Sequence, residues 1–350
     1  FFMIPRLRME QALPFLQVAT SGMSGFSDVI RFGNVNNITL DEAKAMRIKP
    51  PSESRVPSDP YWRMVVLDKY SQGTFAMSRS AKGPMQYETV RNYHARFDYP
   101  GSPANPRDEF WTIYMEPGVS QYMPILGPYE TVRFGKTADF RANRELMVYN
   151  LESVPSTLFA YELEDMAAAE RIGISRRERL QLEQAVPYWQ EPDMMGEEQE
   201  TALYPQTTLE LPAHPDDRAY LEHVVREIRA GDGPLPTQDF AERAVAYLHK
   251  RHAYNTSSGA TRAREGREPV VRWLQEQSDG WCEYFAGSFI LLARTAGHPA
   301  RAVTGFRGGT WNPMENYILV RNSNAHAWVE MYDGQGHWVR VDPTPGSENF

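Results

Sequence analysis

The chain has 350 residues, with 37 Lys and Arg against 45 Asp and Glu and a formal net charge of -8 at pH 7. That is longer than a single hydrophobic core usually grows, so two domains with ample burial are expected, and the acidic balance excludes a phosphate-neutralising nucleic-acid surface. One cysteine excludes an intrachain disulfide and a thiolate-rich zinc site.

The chain opens Phe1-Phe2-Met3-Ile4-Pro5-Arg6-Leu7-Arg8, an apolar stub followed by Pro and two cations. This fits the interfacial exit of a membrane helix cut off upstream. No apolar run reaches the roughly 18 residues that a spanning helix needs. Up to about residue 160, Pro, Gly and Asn turn signals separate short aromatic and β-branched runs such as Tyr61–Leu67 and Glu109–Met115. These predict antiparallel strands in a β-rich N-terminal domain, 1–205. In the second run either alternating face could be the buried one. From about 155 to 205 the run from Glu162 to Arg179, followed by Pro187, Pro192 and Pro205, predicts a charged connector with a short helix.

From 209 the periodicity becomes helical. Asp216 is placed as the cap of a helix that buries Leu221, Val224, Val225 and Ile228 and stops at Gly231. Thr237 opens a second amphipathic helix toward His252. A third runs from Gly280 through Cys282 to Arg294, with Gly297 and Pro299 behind it. Strand patterns follow at 301–306, 316–320, 325–332 and 337–342, the last two joined by the Asp333–Gly336 turn. The expected class is α+β, with a catalytic domain over 209–350.

Three residues have settings that suit one chemistry. A thiol attacks carbonyls as thiolate, and the first turn of a helix, where Cys282 falls, stabilises an anion through its N–H groups and dipole. His326 lies between Ala325 and Ala327, small neighbours that leave the ring room in an alternating strand. Asp342 ends the next strand and is expected across the hairpin from His326, where it can hold the imidazole tautomer. A Cys-His-Asp arrangement supports nucleophilic acyl transfer, with the ring as acid and base. Gly280 fits either a close backbone approach or a simple turn, and Trp281 either a wall beside the sulfur or core packing.

The run GWCEYFAGSFILLARTAGHPARAVTGF and the strands AHAWVEMYD and HWVRVDPTP resemble the transglutaminase-like superfamily, in particular its bacterial membrane-anchored members. SGFSDVIRFGNV and YWRMVVLDKY echo their N-terminal region. The resemblance implies a papain-like core with Cys282 as nucleophile, His326 as acid/base and Asp342 as orienting carboxylate. It also implies an extracytoplasmic region of an integral membrane protein. An aromatic oxyanion donor is suggested as well, for which Tyr254 is the candidate beside the Cys282 N–H, although core packing accounts for Tyr254 equally. His298 departs from the family's usual Ile and is expected at the surface. Trp281 and Trp328 are cleft candidates that could also be core. No cofactor or metal is expected. The partners are a protein or peptide substrate and an amine or water acceptor. Transglutaminase-type transfer ranks first, a cysteine peptidase or amidase second, and a non-catalytic cell-envelope binding module third.

Overall fold

The structure is a computed structural model that describes residues 29–31, 41–78, 86–90, 110–127, 131–134, 138–143, 148–151, 153–164, 171–173, 206–256, 267–334 and 337–346. The opening stub Phe1–Arg8 and the proline-bearing stretch 174–205 lie outside the described residues.

The first strands in chain order are β1 (Val29–Arg31), β2 (Lys44–Lys49), β3 (Tyr61–Leu67), β4 (Lys69–Ser71), β5 (Thr74–Ala76) and β6 (Gln86–Val90). They are followed by β7 (Phe110–Met115), β8 (Thr131–Phe134), β9 (Ala138–Asn143), β10 (Val148–Leu151), β11 (Phe159–Glu164) and β12 (Arg171–Gly173). Four helices come next: α1 (Pro215–Arg229), α2 (Thr237–Arg251), α3 (Pro269–Glu276) and α4 (Cys282–Thr295). The chain then returns to strands β13 (Ala300–Arg307), β14 (Thr310–Asn312), β15 (Tyr317–Arg321), β16 (Ala325–Tyr332) and β17 (His337–Val341).

Strands from both sides of residue 205 pair with one another. One antiparallel sheet runs β12-β17-β16-β13-β3 and another β14-β15-β2-β7-β11-β8, so each joins strands from both ends of the chain. Every residue of β3 is buried. In β7 the odd-numbered Trp111, Ile113 and Met115 face the core, which settles the face the alternating pattern left open.

Within the expected charged connector, Phe159–Glu164 and Arg171–Gly173 are strands: β11 pairs with β7 and β8, and β12 pairs with β17. Phe159, Tyr161 and Leu163 are buried at every second position of β11, a period of two alternating with Ala160, Glu162 and Glu164. The cap of α1 is His214, whose Nδ1 accepts the Asp216 N–H at 3.2 Å, rather than Asp216 itself. Asp217 turns inward and accepts the Glu268 N–H at 3.0 Å. Helix α3 was not anticipated, although Pro269 in its first turn and the buried Val270, Trp273 and Leu274 are readable signals.

Helix α4 holds the catalytic-type half together. Phe285, Phe289 and Leu292 are fully buried, each worth about 1.5–3 kcal/mol of transfer free energy. Near its end, buried Arg294 donates to the carbonyls of Ala300 (2.9 and 2.8 Å), Asp68 (2.7 Å) and Glu210 (3.0 Å). One guanidinium thus ties the helix to β13, to the segment after β3 and to the segment before α1.

A second buried cation network crosses three strands. Glu330 on β16 accepts from Arg63 on β3 at 2.7 Å and from Arg301 on β13 at 2.8 Å, with all three nearly solvent-free. The carboxyl is pushed up by burial, but the two guanidinium charges outweigh that and hold it down at about 2. Glu330→Gln leaves two buried cations without their counter-charge. It is expected to destabilise the protein by about 3–5 kcal/mol in urea unfolding, while a loss under about 1 kcal/mol would show the network to be unimportant.

Candidate functional site

The site lies where the N-terminus of α4 meets the ends of β16 and β17. Cys282 is the first residue of α4, the position at which backbone N–H groups lack an intrahelical acceptor. Trp281 before it is extended, and its indole N–H donates to the Glu283 carboxylate at 3.2 Å. Gly280 has an ordinary negative φ, so left-handed backbone is not what it supplies; a Cβ there would lie 2.7 Å from the Trp273 indole nitrogen. Close packing of Trp273 therefore demands the glycine.

His326 is the second residue of β16, and its side chain is only 9% exposed. Its Nε2 donates to Asp342 Oδ2 at 2.7 Å, since a carboxylate oxygen can only accept. Cys282 is near enough to act on the same ring, and with Nε2 committed to Asp342 the nitrogen left to face sulfur is Nδ1. Burial alone would depress the imidazole. The Asp342 charge and hydrogen bond, joined by those of Cys282, overcome it and hold the ring up at about 10. In Asp342 burial pushes upward, and His326 together with hydrogen bonds from Thr344 brings the carboxyl down to about 2.

The hairpin brings ring and carboxylate together diagonally. The ladder pairs Glu330 with Arg340 and Val329 with Val341, so continuing its register places Asp342 opposite Trp328, two residues from the position directly opposite His326. Both side chains are on the face that also carries Trp328 and Glu330. Ala325 and Ala327, expected to leave the ring room, alternate to the other face; opposite His326 on the β13 ladder stands Gly305, where a Cβ would run into the Trp62 carbonyl and the Trp328 ring.

The remaining candidates divide. Trp328 is 1% exposed, stacks on His326 at 6.3 Å and meets Tyr61 edge-on at 5.2 Å, so it packs behind the ring. Trp281 is 6% exposed and packs edge-on against Tyr284. Tyr254 is 43% exposed and forms a parallel bridge with Gly280, with the Asn255 N–H donating to the Gly280 carbonyl at 2.7 Å. Its hydroxyl is pushed up to about 12, first by burial and then by the charges of Cys282 and Asp342. His298, expected at the surface, is half-buried against Phe240 and within 3.3 Å of Thr237 Oγ1.

Two contacts had no counterpart in the sequence reading. Tyr61 Oη donates to Asp342 Oδ2 at 2.8 Å, and His249 Nε2 donates to the Pro343 carbonyl at 3.0 Å. An aromatic at a strand start and a histidine in a helix carry no mark of partners so distant in sequence. Among the described residues no cluster of His, Cys, Asp and Glu could hold a metal ion.

Residues 222–343 match the Transglutaminase-like superfamily and residues 1–162 match the TgpA N-terminal domain. The chain therefore carries a transglutaminase-like domain behind a TgpA-type N-terminal region, and it is homologous to the TgpA transglutaminase of Pseudomonas. It is 25% identical over 353 residues to the Protein-glutamine gamma-glutamyltransferase of Pseudomonas aeruginosa, covering 98% of this chain and 44% of the relative. It is 35% identical over 107 residues, 29% of this chain and 14% of the relative, to the protein YebA of Bacillus subtilis. The chain thus spans less than half the length of either. The fold matches the crystal structure of the periplasmic domain of TgpA from Pseudomonas aeruginosa with a TM-score of 0.60 at 20% identity, covering 92% of this chain and 94% of that one. Mixed helices and antiparallel sheets around a transglutaminase-like core are thus as expected. Among the described residues no helix is long and apolar enough to cross a membrane.

The pairing of His326 with Asp342 links stability to pH. A raised imidazole stabilises fully below its ordinary value of 6.5 and loses that contribution as pH rises through about 10. A lowered carboxyl stabilises fully above its ordinary 3.8 and loses the contribution as pH falls through about 2. A double-mutant cycle of His326→Ala and Asp342→Ala, followed by denaturant unfolding, is expected to show coupling at pH 5–6 that fades above about pH 10. Coupling unchanged at high pH would contradict the ion pair.

Proposed function

We propose that this protein transfers acyl groups from the glutamine side chains of proteins or peptides to primary amines. The reading is carried by one observation: the His326 ring is held between the Asp342 carboxylate, at 2.7 Å, and a thiol that begins a helix. The name of the Pseudomonas relative, a protein-glutamine gamma-glutamyltransferase, supports the glutamine donor.

In this reading the Cys282 sulfur, its proton held on His326, attacks the glutamine carboxamide carbon and forms a tetrahedral adduct. The developing oxyanion is met by the Cys282 N–H and, on the candidate's position, by the Tyr254 hydroxyl. His326 returns its proton to the leaving nitrogen, ammonia departs and a thioester remains. An amine then attacks the thioester carbon and gives a proton to the ring. Loss of the sulfur as thiolate completes an isopeptide bond and restores the thiolate–imidazolium pair. Asp342 orients the ring and supports its charge throughout.

Limited solvent favours an amine over water as acceptor. Cys282 is 4% exposed and lies beside the buried Trp281. By its likeness to the periplasmic domain of TgpA, the chain works on the outer side of a membrane.

Incubation with a glutaminyl peptide and a fluorescent alkylamine is expected to give thiol-dependent label incorporation, reduced at least about a thousandfold in Cys282→Ala. Release of ammonia without label, or peptide cleavage, would assign a hydrolase instead. Absence of any thiol-dependent product would favour a binding module.

A further inference from the structure

Tyr61 belongs to β3, far outside the 222–343 segment that matches the transglutaminase-like superfamily, yet it reaches the candidate site. Its residue is 3% exposed, and its hydroxyl donates at 2.8 Å to Asp342 Oδ2, the same oxygen that accepts His326 Nε2–H at 2.7 Å. The other carboxylate oxygen, Oδ1, accepts the Thr344 N–H at 3.0 Å. The carboxylate is therefore gripped from both oxygens, once from its own loop and once from the opposite end of the sheet.

The ring of Tyr61 is fixed as closely as its hydroxyl. Trp328 meets it edge-on at 5.2 Å, the Arg340 guanidinium lies 4.0 Å over its face, and Arg307 lies 5.4 Å away. Arg307 also stands 3.7 Å from Asp342 Oδ2, but its main partner is Asp59, at 2.8 Å. The charged and titratable groups around the carboxylate are thus Arg307 and Asp59 near β13, Arg340 on β17, His326 on β16, and Cys282 and Tyr254 from the nucleophile side. Among the described contacts to Oδ2, Tyr61 is the neutral donor that competes with the imidazole for one oxygen.

We propose that Tyr61 is a positioning residue of the acyl-transfer site, its hydroxyl fixing the Asp342 carboxylate and drawing charge from the oxygen that faces His326. Sharing Oδ2 weakens the carboxylate as a base toward the ring. The imidazolium is then held firmly enough to form and loosely enough to give its proton to the leaving nitrogen. It follows that the transglutaminase-like segment does not contain its whole site, because the β3 strand of the TgpA-type region supplies this hydrogen bond.

This inference rests on the acyl-transfer reading, but the two can fail separately. Tyr61→Phe keeps the ring against Trp328 and Arg340 and removes only the hydroxyl. In the full chain it is expected to lower kcat for amine incorporation three- to tenfold, with KM within about twofold and the melting temperature within a few degrees. The alkaline limb of kcat/KM should move to higher pH, and so should the His326 titration followed by ring 15N NMR, a readout that needs no turnover. Tyr61→3-fluorotyrosine, a stronger donor of nearly the same shape, should move the titration the other way. A His326 titration unmoved in both variants overturns the proposal, as does a kcat loss with an unmoved alkaline limb, which would be packing alone. Absence of amine incorporation by the wild type, with the titration still shifted in the variants, would instead overturn acyl transfer and leave the Tyr61 contact standing.

Discussion

Everything at the site depends on one short hydrogen bond, His326 Nε2 to Asp342 Oδ2 at 2.7 Å, made away from solvent. An imidazole buried alone would be neutral, and a carboxyl buried alone would be protonated. Each is charged here because the other is, and that mutual dependence leaves the second ring nitrogen to face sulfur. The scaffold can be understood as the means of keeping two groups from different strands in that contact. The β16–β17 hairpin sets their spacing, Trp328 packs behind the ring, and His249 holds the Pro343 carbonyl next to the carboxylate.

The same sheet explains why the two ends of the chain cannot be separated cleanly. β3 lies at its edge, yet it is buried along its whole length and brings Arg63 to Glu330 and Tyr61 to Asp342. The Glu330 network lies on the same face of β16 as His326, four residues along the strand, so a buried charge cluster and the candidate site share one support. Such clusters add little net stability against an apolar alternative, but breaking one is costly. They fix strand order and register more than they strengthen the fold, and here that register sets where His326 meets Asp342.

Much of the site was legible in the sequence because its signals are local. A glycine and an aromatic before Cys282 at a helix start, alternating strands around His326, and a turn signal between His326 and Asp342 are all readable within a few residues. The helical segments at 215–229, 237–251 and 282–295 likewise follow from apolar periodicity. What could not be read was long-range. Nothing around Tyr61 indicates a carboxylate 281 positions away, and nothing in Arg294 indicates a carbonyl at Asp68. Charge obscured the alternation of Phe159, Tyr161 and Leu163, which made a strand read as a connector. The pairing of strands from both ends of the chain in one sheet was likewise beyond reach, because it is decided by contacts rather than by sequence order.

The central claim is that His326 is a cation clamped between thiol and carboxylate over the pH range in which the protein would work. Ring 15N chemical shifts of His326 in the wild-type chain test it most directly. Both nitrogens should be protonated at pH 8 and titrate only near pH 10. A ring already neutral at pH 8, with a midpoint near the ordinary 6.5, would contradict the account.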